Sequence, residues 1–417
     1  MAEVLDRFVR YVKIHTTSKE DVEEVPSTKI QFDLANVLVE ELKQLRLIDA
    51  KVDRHCIVTA TLPSNLPTNV KTPVLTFNAH LDTSPEEPGE NVKPNLVRNY
   101  RGGEIKLPGD PNIVISPDDR PILKEYIGHD IVTSDGTTLL GADDKAGVAV
   151  IMTAVSALVR DPSRKHGTVR VVFTPDEEVG TGIEMLDIPA LKSDYAFTVD
   201  NDGLYLGVET FNAARGTITV KGFNIHPGEA YDKMVNSIRV LPDLVSLFPV
   251  TVAPETTKDH QGYYHPYEIE ASVNEARLRF LLRDFDYNEL KKKMVNIQEG
   301  VKRIQQKHPK AQVILQLQDQ YRNMKEILDK VPEIVGTAEE AIRRTGLRVR
   351  IKPIRGGTDG ARMSFKGLPT PNLFCGYVNE HSKKEFVSVQ VMEKATETVL
   401  NIIDIFAQKN VGNQKSE

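Results

Sequence analysis

Residues 146–180 read AGVAVIMTAVSALVRDPSRKHGTVRVVFTPDEEVG. The apolar run Gly147–Val159, about 13 residues, is too short to span a bilayer, which needs about 20, but suits a helix buried among other elements. Val169–Phe173 follows, β-branched and aromatic, the composition of a strand. It stops at an acidic turn, Thr174-Pro175-Asp176-Glu177-Glu178-Val179-Gly180. A buried helix feeding a strand that ends in acids is the unit of an α/β domain, in which ligands bind beyond the carboxyl ends of the strands.

The same rhythm extends outward. Val4, Leu5, Phe8 and Val12 mark one helical face, and Leu34, Val37, Leu38, Leu42 and Leu45 a second. Strand-like runs lie at Ile57–Leu62, Val74–Phe77 and Tyr195–Val199. Residues 84–130, rich in Pro, Gly and Asn, read as an excursion of loops. Helices over 324–345 and 388–408 and strands over 348–352 and 372–375 resume the alternation. This predicts an α/β domain with a mostly parallel central sheet covered on both faces. The pattern changes between 209 and 322. A strand (216–221), a helix (233–248), two strands within 266–283, a helix (287–308) and a strand (312–318) give the order βαββαβ, the ferredoxin-like arrangement. Residues 1–208 and 323–417 then form one α/β domain, interrupted by an inserted smaller α+β domain at 209–322.

Composition narrows the chemistry. The 417 residues carry 53 Lys+Arg against 59 Asp+Glu, a net charge of -6, which argues against nucleic acid or an anionic membrane as partner. Two cysteines, Cys56 and Cys375, are too few for a disulfide scaffold or a thiolate zinc finger, so a metal would have to rest on His, Asp and Glu. The first residues lack an apolar secretory core. With the scarcity of cysteine, this sets a cytoplasmic location as the expectation.

Five clusters follow apolar runs or open helices. His80 and Asp82, at i and i+2, share a face of an extended chain, so Asp82 can orient a ligating His80. Asp143-Asp144 opens the apolar helix; one aspartate would serve as a cap, and the second leaves a carboxylate to spare. Glu177 and Glu178 point in different directions, so one can ligate while the other acts as general base. Asp200 ends the run Phe197-Thr198-Val199, and His381 follows the run 372–377. Each has a plain alternative: loop histidine, helix cap, solvated acidic turn. Taken together, His80, Asp143, Glu178, Asp200 and His381 are the oxygen and nitrogen ligands that catalytic zinc accepts, and two cations would offset the repulsion among the acids.

The set AHLDTS (79–84), TSDGTTLLGADDKAG (133–147), FTPDEEVG (173–180), NIHPG (224–228), LLRDFD (281–286), KPIRGGTDG (352–360) and GLPTPNLF (367–374) resembles the dinuclear zinc metallopeptidases of aminoacylase and carboxypeptidase type, in their peptidase T branch. The resemblance covers essentially the whole chain. It implies hydrolysis of the N-terminal residue from tripeptides. It implies two Zn²⁺ per subunit, with Co²⁺ or Mn²⁺ as substitutes that suit such ligands. Asp143 would bridge the two ions, His80 and Asp200 completing one site and Glu178 and His381 the other. Glu177 would be the general base, Asp82 the partner of His80, and the Asp143–Asp144 peptide cis. His226 would polarise the scissile carbonyl, in several relatives from across a dimer, so a homodimer is compatible with the resemblance. Arg283 and Arg355 would grip the peptide's C-terminal carboxylate, with structural ion pairs to Asp284 and Asp359 as their alternative. The same metal site would also serve a dipeptidase, an N-deacylase or a carboxypeptidase, and the fold a non-catalytic peptide-binding protein. One departure stands out: Asn201-Asp202 where this branch usually has Gly-Gly, which puts a further carboxylate beside Asp200 and removes two residues that accept positive φ.

Overall fold

Strand Leu75–His80 is buried at every residue. It lies between Val169–Thr174 and Tyr195–Val199, parallel to both, and all three are rich in apolar and β-branched residues, as a strand covered on both faces requires. The computed structural model describes residues 3–413. Its six-stranded sheet runs in the order Ile48–Val52, Val58–Leu62, Val169–Thr174, Leu75–His80, Tyr195–Val199, Asn372–Leu373. The last four are parallel; the first two pair antiparallel at one edge. Phe77 and Phe197 stack across neighbouring strands at 5.6 Å.

Helix Ala142–Arg160 is buried from Ala142 through Ser156, as its all-round apolar sequence demands. It packs between the strands Leu75–His80 and Tyr195–Val199 and the helices Glu3–Tyr11 and Val389–Asn413. Gly147 allows the close approach: a Cβ there would lie 1.9 Å from the Val199 carbonyl oxygen and 2.4 Å from Asp144 Oδ1. A second, antiparallel sheet orders Tyr377–Val378, Phe386–Ser388, Ile131–Thr133 and Asn95–Val97.

The chain forms two compact units, Met1–Val208 with Glu326–Lys352 and Thr358–Glu417, and Glu209–Lys325 with Pro353–Gly357. In the second unit the strands Tyr263–Ala271, Glu275–Asp284, Asn212–Lys221 and Gln312–Tyr321 form one antiparallel sheet in that order. This is the ferredoxin-like strand order. Helix Tyr287–Lys307 lays Leu290, Ile297, Val301 and Ile304 against Ile218, Leu278 and Phe280. Asp286 caps it, accepting from the N–H groups of Asn288 and Glu289.

Several elements differ from expectation. Residues 84–130 are more than loops, holding strands Asn95–Val97, Ile105–Leu107 and Asp110–Ile115. Strand Ile48–Val52 was not read. The helix expected over 233–248 shrinks to Leu241–Val245 after one 3-10 turn, because Asn236 caps at Ile238 and Pro242 and Pro249 punctuate the segment. The helix expected over 324–345 is two, Lys325–Leu328 and Pro332–Arg344, with Pro332 opening the second. The strand expected over 348–352 is a single bridge, Ile351 to Leu206. No described helix is long and apolar enough to cross a membrane.

Candidate metal centre

The strand register delivers the chemistry to one edge. His80 pairs with Thr174, and Asn78 with Thr198. The residues just beyond these parallel strands, Asp82, Glu177, Glu178 and Asp200, therefore meet at the carboxyl end of the sheet. Asp143 arrives at the start of the central helix. His381 arrives on the turn between Tyr377–Val378 and Phe386–Ser388, at φ 57°.

Asp143 lies between the two imidazoles. Its Oδ1 is 2.9 Å from His80 Nε2, and its Oδ2 is 3.6 Å from His381 Nε2. Asp200 Oδ1 lies 3.7 Å from His80 Nε2, and Glu178 Oε2 lies 2.8 Å from His381 Nε2. The structure thus gathers the five candidate ligands around one shared carboxylate. Ligand atoms of His80, Asp143 and Glu178 all fall within 4.8 Å of one another, as do those of His80, Asp144 and Asp200. We count Asp144 as framework, because protein donors already occupy it. Its Oδ2 accepts from the His80 N–H at 3.2 Å, and its Oδ1 from the Gly147 N–H at 3.1 Å and the Cys375 thiol at 3.4 Å. The Asp143–Asp144 peptide is cis.

A ring of saturated groups holds these side chains. Asp82 accepts from the N–H groups of Glu177 and Glu178 at 3.0 and 3.2 Å, and its Oδ1 lies 3.4 Å from His80 Nδ1. The Asp82 carboxylate thereby orients both glutamates, while the imidazole is held through its Nδ1, which lies 3.1 Å from the Asp82 main-chain carbonyl oxygen. Asp176, at φ 52°, accepts from Ser27 N–H, Ser27 Oγ–H and Gln31 Nε2–H. Glu385 accepts from the N–H groups of Leu140, Gly141 and Asp143. Tyr377 donates to Asp200 Oδ1 at 3.1 Å. Asp359 accepts from Thr174 Oγ1, so it belongs to the sheet edge and is no partner of Arg355. The sequence reading does not pick out Asp176, Glu385 or Tyr377, and gives Asp359 only as an ion-pair alternative for Arg355. Their partners lie many residues away, and only Asp176, inside the acidic turn, carried a local signal.

Asn201-Asp202 is accommodated without strain. Neither residue has positive φ; Gly203 takes it, at 52°. Asn201 is buried and donates to the Tyr205 carbonyl, and Asp202 pairs with Lys352 at 2.8 Å. The added carboxylate is thus matched by a cation.

The electrostatics call for positive charge. Burial raises Glu177 well above the usual carboxylate range; His80 opposes this, while Asp200, Asp359 and Glu178 add to it. Burial, then Asp143, pushes Glu178 up to about 7. Asp200 is raised by burial and by Asp144. Burial works against a charged His381, yet hydrogen bonds to Asp143 and Glu178 push it up to about 12. Burial likewise opposes His80, and Asp200 with Asp143 overcome it. Asp143, despite burial, is held below its usual range by the two histidines. Among the described residues no donor reaches the buried Glu178 Oε1. Five convergent ligands, acids that repel one another and an orphaned buried oxygen fit a pair of divalent cations.

His226, Arg283 and Arg355 belong to the second unit. His226 is exposed and its Nδ1 accepts from the Gly228 N–H, capping a 3-10 turn. Buried Arg283 donates through Nη1 to the Ala214 and Leu282 carbonyls and lies over the Tyr321 ring. Arg355 donates from both terminal nitrogens to residues 257–261 and stacks over Phe211 and Tyr263. Asp284 pairs with Lys293 instead.

Residues 139–404 match the model of Peptidase family M20/M25/M40. The chain belongs to this family. It is accordingly a peptidase, and the clustered ligands are candidates for the metal centre of an M20 metallopeptidase. It is 45% identical to Peptidase T of Geobacillus kaustophilus over 98% of this chain and 99% of that one. It is 46% identical to Peptidase T of Clostridium acetobutylicum over 98% and 100%. Among solved structures, a tripeptidase of Staphylococcus aureus superposes with TM-score 0.75 at 21% identity, covering 97% of this chain and 98% of that one. A dinuclear metal-binding M20 peptidase of Bacillus subtilis superposes with TM-score 0.62 at 14% identity over 97% and 98%. These last two establish likeness of fold.

Proposed function

We propose that this M20 peptidase is a dinuclear zinc aminopeptidase that removes the N-terminal residue from tripeptides. One observation carries the metal reading: the two oxygens of Asp143 face different imidazoles, His80 and His381. The likeness to Peptidase T over nearly the whole chain supports the substrate class. His80, Asp143 and Asp200 would hold one ion; His381, Glu178 and Asp143 would hold the other. When bound, such a pair lowers the pKa of water and polarises a carbonyl oxygen.

The chain's own residues do the rest. Glu177, left unligated and oriented through its N–H by Asp82, takes the proton from the attacking water and delivers it to the leaving amine. The Asp82 main-chain carbonyl holds His80 Nδ1, which leaves Nε2 turned toward Asp143. We assign to His226 the polarisation of the scissile carbonyl. Among the described residues Arg283 donates through Nη1 alone, whereas Arg355 has both terminal nitrogens committed. We therefore assign the substrate's C-terminal carboxylate to Arg283 before Arg355. The cytoplasm is the compartment this reading assumes, consistent with two free, buried cysteines.

A panel of di-, tri- and tetrapeptides, with free or acetylated amines, tests the proposal alongside metal analysis. Cleavage confined to free-amine tripeptides, with two zinc ions per chain, is expected. Preferred cleavage of acetylated peptides would convert the assignment to N-deacylase, and release of the C-terminal residue to carboxypeptidase.

A further inference from the structure

We propose that Glu385 is a positioning residue for Asp143, fixing the carboxylate that two cations share; the proposal rests on the two-metal reading above. Glu385 is 1% exposed and precedes strand Phe386–Ser388. Its Oε2 accepts from Leu140 N–H at 2.9 Å and Gly141 N–H at 2.7 Å; its Oε1 accepts from Asp143 N–H at 2.9 Å. These donors sit where the backbone is least regular. Gly141 is left-handed at φ 75°, Asp143 and Asp144 have non-helical angles, and Gly141 offers no side chain to cap the helix. N–H groups at a helix start need an acceptor, and here it comes from 242 residues further along the chain.

Glu385 also ends the turn that carries His381. Ser382 donates to the Asn379 carbonyl and Asn379 to that of Lys384, so the turn is braced internally. One carboxylate therefore ties the shared ligand to the histidine of the second ion's site. The requirement is for an acceptor on both oxygens. An amide would turn an N–H₂ toward the Asp143 N–H or toward the Leu140–Gly141 pair.

The test is zinc titration of metal-stripped protein against a chromophoric chelator, with kcat, KM and thermal unfolding. Glu385→Gln should stay folded, lose about 10–100-fold in zinc affinity, and lose kcat while KM holds within about twofold. Glu385→Asp, which keeps two acceptors at shorter reach, should fall between it and wild type. A folded Glu385→Gln with wild-type zinc affinity and kcat overturns the assignment, whatever its melting temperature. Should that variant not fold, Glu385→Asp decides: undiminished zinc affinity overturns the assignment. A wild-type chain that binds no zinc stoichiometrically sinks the two-metal reading itself, and the assignment with it.

Discussion

The carboxylates around the site divide into two groups with opposite surroundings. Asp82, Asp144, Asp176 and Glu385 each accept from at least two protein donors, most of them main-chain N–H groups. Asp143, Glu178 and Asp200 instead crowd round two histidines, and Glu178 Oε1 has no donor among the described residues. Both groups are buried and both cost desolvation. The difference teaches that an acid saturated by N–H groups is scaffold, while an acid left short of donors is waiting for a cation.

The largest expected effect lies on the residue that belongs to neither group. Glu177→Ala should retain its metal content and lose about 10²–10⁴-fold in turnover, the range for a general base. A variant with undiminished kcat would strip Glu177 of that role.

The next comparison is between neighbours. Asp143→Asn should bind fewer than two metal ions and lose activity. Asp144→Asn should keep both at saturating metal and lose about 1–3 kcal/mol of stability, because an amide presents an acceptor oxygen to only one of the His80 and Gly147 N–H groups. Metal analysis with chemical denaturation separates them; equal metal loss in both would erase the distinction between the groups.

Stripping the metal sharpens it through pH. Glu178 rises from 4.5 to about 7 on folding, so its stabilising contribution is complete below 4.5 and is lost as pH climbs through 7. His381 rises from 6.5 to about 12, so its contribution is complete below 6.5 and drains away at higher pH. Both push the same way. The metal-free protein should weaken from pH 5 to pH 8, and the melting-temperature gap to the zinc-loaded form should widen. A gap that narrows over that range contradicts the cation-for-proton picture.

The smallest effect is expected at Asp202→Gly. The ion pair with Lys352 is partly exposed and worth less than about 1 kcal/mol, and Gly203 already supplies the positive φ. Steady-state kinetics should match wild type; a marked change in KM would reopen the question of a substrate contact there.

Much was legible along the chain because period and composition are local properties. The strand Val169–Thr174 with its acidic turn, the apolar helix after Asp143, and the βαββαβ succession all announce themselves. Short elements did not. Strands of three residues such as Asn95–Val97 and Ile131–Thr133 carry too few side chains to show a period. Prolines 242, 249 and 332 were visible, but their breaking of helices was outweighed by the apolar pattern around them.

The amino-acid order alone settled which residues could ligate, since the choice of His, Asp and Glu at strand ends is a matter of chemistry and spacing. Spacing alone does not decide which acids are scaffold and which are candidate ligands; the resemblance singled out Asp143. Asp143 and Asp144 are adjacent and identical, and Glu385 looks like any charge beside a strand. What separates them is the count of N–H donors each meets after folding. Those donors come from segments up to 245 residues apart, brought together only by the packed sheet and the helix upon it.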